Sequence, residues 1–92
     1  MIVSFACNET ELLYLTGKST KFQSCAKVAV RKLDQLQIAV EIKDLRIPPG
    51  THLEALSGDR AGQYSIRIND QWQLCFRWQG ENAYDVEIVD YH

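Results

Sequence analysis

The sequence lacks several features that would place it in a specialised class of protein. Its 92 residues include no run of about 18 apolar residues, the length that a membrane-spanning helix needs. The opening MIVSFACNET has neither a basic segment nor a long apolar stretch, so we expect no signal peptide. Cys7, Cys25 and Cys75 form no C-x-x-C pair. Their scatter favours reduced thiols in a cytoplasmic protein over a disulfide framework or a zinc site.

Acidic residues are missing from one segment of an otherwise acidic chain. Residues 17–32 contain five lysines and arginines and no acid, while the whole chain has a net charge of −2. The net charge argues weakly against a nucleic-acid partner, but this asymmetry permits a basic face for an anionic one. The same pattern fits an ordinary solvated helix face, and the sequence leaves both interpretations open.

The chain also lacks repeats, low-complexity tracts and any linker, so residues 1–92 are expected to form a single domain. The apolar run IVSFA predicts a first strand. Asn8 is then a plausible N-cap for a short helix that Gly17 ends.

A second helix is predicted by apolar residues at steps of three and four. The stripe consists of Phe22, Cys25, Ala26, Ala29, Leu33, Leu36 and Val40. Pro48, Pro49 and Gly50 then stop the helical pattern, because proline cannot continue a helix.

From Leu53 onward the apolar period changes to two, which is typical of strands. The runs HLEAL, QYSIRI, WQLCFRW and YDVEIVD are separated by short turn segments, which favour antiparallel neighbours. The order predicts an α+β fold, in which the N-terminal strand and two helices pack on one face of a mostly antiparallel sheet of four or five strands. The opposite face would be left for water or a ligand.

Three segments of the second half, LSGDRAGQYSIRINDQW, CFRW and DVEIVDYH, resemble the HigB toxins of the RelE-type superfamily, and the two-helix first half agrees with them. The resemblance implies a microbial-ribonuclease-like fold and the toxin role in a type II toxin–antitoxin system. It also implies ribosome-dependent cleavage of messenger RNA in the cytoplasm, without a metal or other cofactor. The expected partners are the ribosome, mRNA and a HigA-like antitoxin with a helix-turn-helix; no membrane partner is expected.

The resemblance further implies that Asp90, Tyr91 and His92 are the catalytic segment. A histidine suits proton transfer because its reference pKa of about 6.5 lies near cellular pH, so His92 would act as general acid. Asp90 would orient it or act as base, and Tyr91 would donate to phosphate or stack on a base. Strict strand alternation instead points Tyr91 away from its two neighbours, which leaves open a core-packed Tyr91 beside an exposed tail.

Arg60 and Arg67 are the best candidates for phosphate binding, because a guanidinium binds phosphate through paired donors. An alternative for Arg60 is a structural salt bridge to Asp59 or Asp70.

Two residues depart from the family pattern. Gln73 follows the strand tryptophan where relatives usually have arginine, and Glu54 stands where some relatives have histidine. Both are possible accessory residues, and Glu54 could serve as a base. Because Gln73 brings no positive charge to the phosphate, the alternative function is an attenuated or inactive toxin that acts mainly by binding its antitoxin.

Overall fold

The computed structural model describes residues 1–47 and 49–91 and contains an antiparallel sheet whose strands follow chain order. The strands are β1 (Glu54–Ala55), β2 (Gln63–Arg67), β3 (Trp72–Gln79) and β4 (Asn82–Asp90). Short turns link β2 to β3 and β3 to β4, which is why sequence neighbours are also neighbours in the sheet. The predicted α+β architecture is confirmed.

Two helices precede the sheet, α1 (Asn8–Thr16) and α2 (Ala26–Ile38), as the apolar spacing predicts. Gly17 ends α1 in the left-handed conformation, with φ of 75°. The expected N-cap at Asn8 is wrong, because Asn8 is the first helical residue and Cys7 occupies the cap position. Val40 is also wrongly assigned to the buried stripe, since α2 ends before it and its side chain is exposed.

The predicted first strand forms only as an irregular edge. Ile2 and Phe5 make isolated parallel bridges to β4, at Ala83 and Val86. Between these bridges Asp85 has a φ of 53°, and the β3–β4 register shifts at the same level. Such a bulge interrupts the regular ladder, so the N-terminal segment pairs with β4 at two separate points.

One core lies between the helices and the sheet. Its largest fully buried side chains come from both layers: Leu13, Phe22, Leu33, Leu36, Leu45, Ile66, Leu74, Phe76 and Val86. Trp72 and Trp78 pack against this core, as their parity with Leu74 and Phe76 indicates. In the described residues, no helix is long and apolar enough to cross a bilayer.

The run HLEAL contributes less strand than predicted. His52 has a φ of 49°, which bends the chain out of extended geometry, and only Glu54 and Ala55 pair with β2. The predicted break at Pro48 lies outside the described residues, and a short 3-10 turn follows it at Pro49–Thr51.

Candidate active site

The face of the sheet opposite the helices carries polar side chains, and the register identifies them. Ile66, Leu74 and Ile88 are cross-strand partners on the core face. Residues one position away therefore share the other face, because side chains alternate along a strand. We call this second surface the open face. It consists of Glu54, Gln63, Ser65, Arg67, Gln73, Cys75, Arg77, Glu87 and Val89.

Arg60 reaches the open face from the 3-10 turn Gly58–Arg60. Its Nη1 donates to Glu87 Oε1 at 2.9 Å and to Gln63 Oε1 at 3.0 Å. The predicted alternative partners Asp59 and Asp70 are therefore wrong, although a salt bridge does form. The hydrogen bond to Glu87 raises the pKa of Arg60. With 38% of its side chain exposed, Arg60 is held in place and still meets solvent.

Arg67 lies on the polar side of β2, as its alternation with Ile66 and Ile68 predicts. Its Nη2 forms an ion pair with Asp70 Oδ1 in the turn before β3, and 37% of the Arg67 side chain is exposed. Asp70 is almost wholly in solvent, so water screens this pair and leaves the guanidinium able to exchange partners.

Tyr91 follows β4 and lies within electrostatic range of Arg67. Its backbone N–H donates to the carbonyl oxygen of Gln71 at 2.9 Å, which continues the pairing with the β3 side by one residue. Burial raises the pKa of the Tyr91 phenol, Arg67 lowers it, and Glu54 and Cys75 raise it further. The net increase keeps the phenol protonated at neutral pH, so it can donate a hydrogen bond.

Asp90 and Tyr91 point in different directions. Asp90 is the cross-strand partner of Trp72, on the parity opposite to that of the open face, and its Oδ2 accepts from Gln71 Nε2 at 3.2 Å. The structure therefore places Tyr91 within electrostatic range of Arg67, and it turns Asp90 toward the β2–β3 turn. His92 lies outside the described residues, so its role as general acid stays a prediction.

Gln73 and Glu54 both belong to the open face. Gln73 is the cross-strand partner of Arg67 and of Val89, so an arginine there would stand beside the Arg67 guanidinium. Glu54 is exposed, pairs with Ser65 and lies within electrostatic range of Tyr91. Both positions therefore lie on the same face as Arg67, and their accessory roles stay predictions.

Sequence reasoning missed Glu87 as the residue that fixes Arg60. A signal was available, because Glu87 alternates with Val86 and Ile88 and so had to face away from the core. Burial raises the pKa of the neighbouring Cys75 to about 11, which keeps the thiol neutral beneath the ion pair. Among the described residues, no group of three or more histidine, cysteine or acidic side chains could hold a metal ion.

Solved structures with the same fold define the class of domain. The chain superposes on a YafQ mutant from Escherichia coli with a TM-score of 0.61 at 13% identity, covering 99% of this chain and 92% of that one. It also superposes on the YoeB–YefM toxin–antitoxin complex from Staphylococcus aureus with a TM-score of 0.58 at 20% identity, covering 100% and 98% of the two chains. The chain thus shares the fold of YafQ and YoeB.

The sequence then identifies the family. Residues 4–92 match the HigB-like toxin family, described as the RelE-like toxin of the type II toxin–antitoxin system HigB, and the chain belongs to that family. It is 31% identical to Endoribonuclease HigB of Proteus vulgaris over 94 aligned positions that cover 100% of both chains. It is 50% identical to Toxin HigB-1 of Vibrio cholerae over 48 residues, which are 52% of this chain and 50% of that protein. An uncharacterised Haemophilus influenzae protein matches at 45% over 62 residues, 67% of this chain and 61% of its own length.

Proposed function

We propose that this toxin is a ribosome-dependent endoribonuclease that cleaves messenger RNA without a metal ion and so inhibits translation in the cytoplasm. The observation that carries the proposal is that two partly exposed guanidinium groups, those of Arg60 and Arg67, lie on the open face, with the Tyr91 phenol within electrostatic range of Arg67. The name of the Proteus vulgaris relative, Endoribonuclease HigB, supports the same reaction class.

Cleavage of RNA by its own 2′-hydroxyl needs a base, stabilisation of the charged phosphate and protonation of the leaving 5′-oxygen. Arg67 and Arg60 would supply the positive charge, because each guanidinium has more donors than its single carboxylate partner uses. The Tyr91 phenol would donate to a non-bridging phosphate oxygen. These groups would be preorganised before the substrate binds, and preorganised donors stabilise the charge of the transition state most effectively.

Proton transfer would be carried out by His92 and Asp90. His92 would protonate the leaving oxygen, and Asp90, turned toward Gln71, would orient the imidazole or act as the base. Glu54 on the open face is an accessory candidate for the base. Its carboxylate lies within electrostatic range of Tyr91 and hence near the proposed position of the reacting phosphate.

The ribosome and a HigA-like helix-turn-helix antitoxin complete the proposed partners. A Staphylococcus aureus neighbour in fold was solved as a YoeB–YefM toxin–antitoxin complex, which supports antitoxin binding as a property of this class. Co-expression with the product of an adjacent reading frame tests the antitoxin, and stable co-purification with a helix-turn-helix protein is the expected result.

A second candidate function is an attenuated toxin that mainly binds its antitoxin. Gln73 favours the attenuated toxin. It lies opposite Arg67 and is neutral, where relatives usually carry a positively charged arginine. Under this alternative, induced expression leaves growth unaffected while the antitoxin still co-purifies.

The deciding experiment compares the intact chain with a His92 deletion in an inducible bacterial strain. The endoribonuclease predicts growth arrest by the intact chain, cleaved mRNA in primer-extension assays, and loss of both on deletion. Purified mRNA should be cut only when ribosomes are present. Cleavage that survives the deletion would remove His92 from the mechanism, and undisturbed growth with uncut mRNA would favour the attenuated toxin.

A further inference from the structure

A cavity of about 200 Å³ lies beside α2, next to the end of β2. A water molecule takes about 30 Å³ of liquid volume, so this space can hold several waters or a group the size of a phosphate. Its polar lining comes from Arg31, Lys32, Gln35, Gly50 and Arg67. Three of these five residues carry a positive charge and none carries a negative one.

Lys32 is an unusual member of this lining because it is buried, with a relative exposure of 9%. Its Nζ donates to the hydroxyl of the fully buried Thr51 at 3.1 Å. Throughout residues 1–47 and 49–91, the ion pairs include neither Lys32 nor Arg31. Burial lowers the pKa of Lys32, and the charge of Arg31 lowers it further.

A buried ammonium group without a carboxylate partner is costly, because the protein replaces only part of its hydration. Most lysines avoid this cost by extending into solvent. An anion in the cavity would supply the missing negative charge to Lys32 and to Arg31 together. The arrangement is therefore typical of a site that is complete only when an anionic ligand is bound.

Arg67 connects this cavity to the open face. It lines the cavity, and it also lies within electrostatic range of the Tyr91 phenol. An RNA strand whose reacting phosphate lies at Arg67 and Tyr91 would reach the cavity by passing Arg67 at the end of β2, from the open face to the side of the sheet where α2 lies. Gln35 adds a buried side-chain oxygen that has no hydrogen-bond partner in the described residues. A ribose 2′-hydroxyl next to a backbone phosphate could donate to it.

We propose that the cavity formed by Arg31, Lys32, Gln35, Gly50 and Arg67 binds a second RNA backbone phosphate, adjacent to the reacting one. The proposal rests on RNA as the ligand in the proposed function. It assigns Lys32 to substrate binding, a role that involves no proton transfer in the reaction.

RNA binding measured without cleavage tests this assignment. A His92→Gln background keeps RNA intact, and fluorescence anisotropy with a labelled single-stranded oligonucleotide reports affinity at several salt concentrations. In this background Lys32→Met should weaken binding about tenfold, the effect of losing one charge-assisted hydrogen bond. The slope of log affinity against log salt should become shallower by about 0.7, the value for one phosphate contact on a single strand.

The matched control is Lys27→Met, which removes an exposed lysine from the same helix outside the cavity. It should leave both affinity and slope close to those of the parent. Equal losses in the two variants would indicate a general charge effect and would overturn the proposal, as would unchanged binding by Lys32→Met. Circular dichroism and urea unfolding confirm that Lys32→Met remains folded, which is expected because methionine fills similar space without the buried charge.

A nuclear magnetic resonance titration distinguishes the source of the phosphate. Inorganic phosphate and adenosine monophosphate should both shift the Gly50 amide signal and raise the pKa of Lys32, while the oligonucleotide saturates these shifts at much lower concentration. A mononucleotide that binds as tightly as the oligonucleotide would overturn RNA as the ligand. The growth-arrest assay judges the proposed function separately, because it measures cleavage and these experiments measure binding.

Discussion

Arg67 and Gln73 lie directly opposite one another in the β2–β3 ladder, on the face of the sheet that the helices leave uncovered. Directly opposed side chains in an antiparallel pair have Cβ atoms about 5 Å apart. A charge introduced at position 73 would therefore act on the same ligand as the Arg67 guanidinium. The effect of Gln73, which stands where relatives usually have arginine, can therefore be tested by substitution.

Gln73→Arg should raise the rate of mRNA cleavage on ribosomes by ~10²–10³-fold, since one preorganised electrostatic group typically contributes that much. Single-turnover cleavage of a defined mRNA measures the change. Gln79→Arg adds the same charge at the exposed far end of β3 and serves as control. A similar gain in both variants, or no gain at position 73, would contradict the importance of charge at that position.

Glu87→Gln should lower RNA cleavage, because Glu87 is the carboxylate that holds Arg60 on the open face. Its effect on the free energy of unfolding should be about 1 kcal/mol or less, since both partners meet solvent and water screens the pair. Urea unfolding and the cleavage assay provide the two measurements. In the control Asp85→Asn, which breaks the more exposed pair with Arg77, cleavage should be unchanged. Full activity of Glu87→Gln would show that Arg60 needs no carboxylate to be positioned.

Thr10→Val should destabilise the fold by about 1–3 kcal/mol, the cost of leaving a buried N–H without its acceptor. The Thr10 hydroxyl accepts from the Ile88 backbone N–H at 3.0 Å and so ties α1 to β4. Valine has nearly the same shape, and the loss therefore reports the hydrogen bonds of the Thr10 hydroxyl, with the Ile88 N–H and with the Cys7 thiol. Chemical denaturation measures it, with the exposed Thr20→Val as a control expected to change little. Equal free energies of unfolding for the two variants would show that this hydrogen bonding makes no net contribution to stability.

Cys7 should react with iodoacetamide before the other two thiols at pH 8. Burial opposes ionisation of Cys7, but hydrogen bonds from Thr10 and Glu9 and the charge of Lys21 leave its pKa below the usual value. Burial instead raises the pKa of Cys25 and that of Cys75. Peptide mass spectrometry after timed alkylation gives the order, and Cys7→Ser should remove the fast phase. Early labelling of Cys75 would contradict its buried position.

The stability of the fold should decline as the pH rises from about 9 to about 11, in part through Cys75. Its folded pKa of about 11 exceeds the ordinary thiol value of 9.0, so the unfolded chain releases this proton first. The contribution is therefore complete below pH 9 and is lost as the pH rises through the folded value. Urea unfolding of the parent and Cys75→Ala across this range isolates the effect. Parallel declines in the two proteins would argue against it.

The strands and helices were largely predictable because each element carries its own periodicity. The α2 stripe and the alternation in β2 to β4 depend only on which side chains must leave water, and this is a local property of the sequence. Two predictions were wrong, the cap at Asn8 and the regular strand IVSFA. They depend on contacts with other parts of the fold. Asp85 adopts a positive φ in β4, and this bulge breaks the pairing of a segment about 80 residues earlier in the chain.

The candidate site likewise has features that the sequence predicted and features that only the fold revealed. Residue chemistry predicted Arg60 and Arg67 as phosphate ligands, which stays a prediction, and alternation placed Asp90 and Tyr91 on opposite sides. It could not choose Glu87 over Asp59 as the partner of Arg60, because that choice depends on which strands become neighbours. The cavity at Lys32 was equally hidden. An apolar stripe shows which helix face is buried, but it does not show that a lysine near its edge is buried with it.

The sequence by itself determined the α+β class, the family and the residue types available for RNA chemistry, because periodicity and motif identity are written in the order of residues. Only the tertiary structure decided which polar groups meet. Three pairs of residues that interact in the fold lie far apart in the sequence: Arg60 and Glu87, Lys32 and Thr51, and Arg67 and Tyr91. Electrostatic and hydrogen-bond energies depend on distances of a few ångströms, and those distances exist only once the strands have paired and the helices have packed.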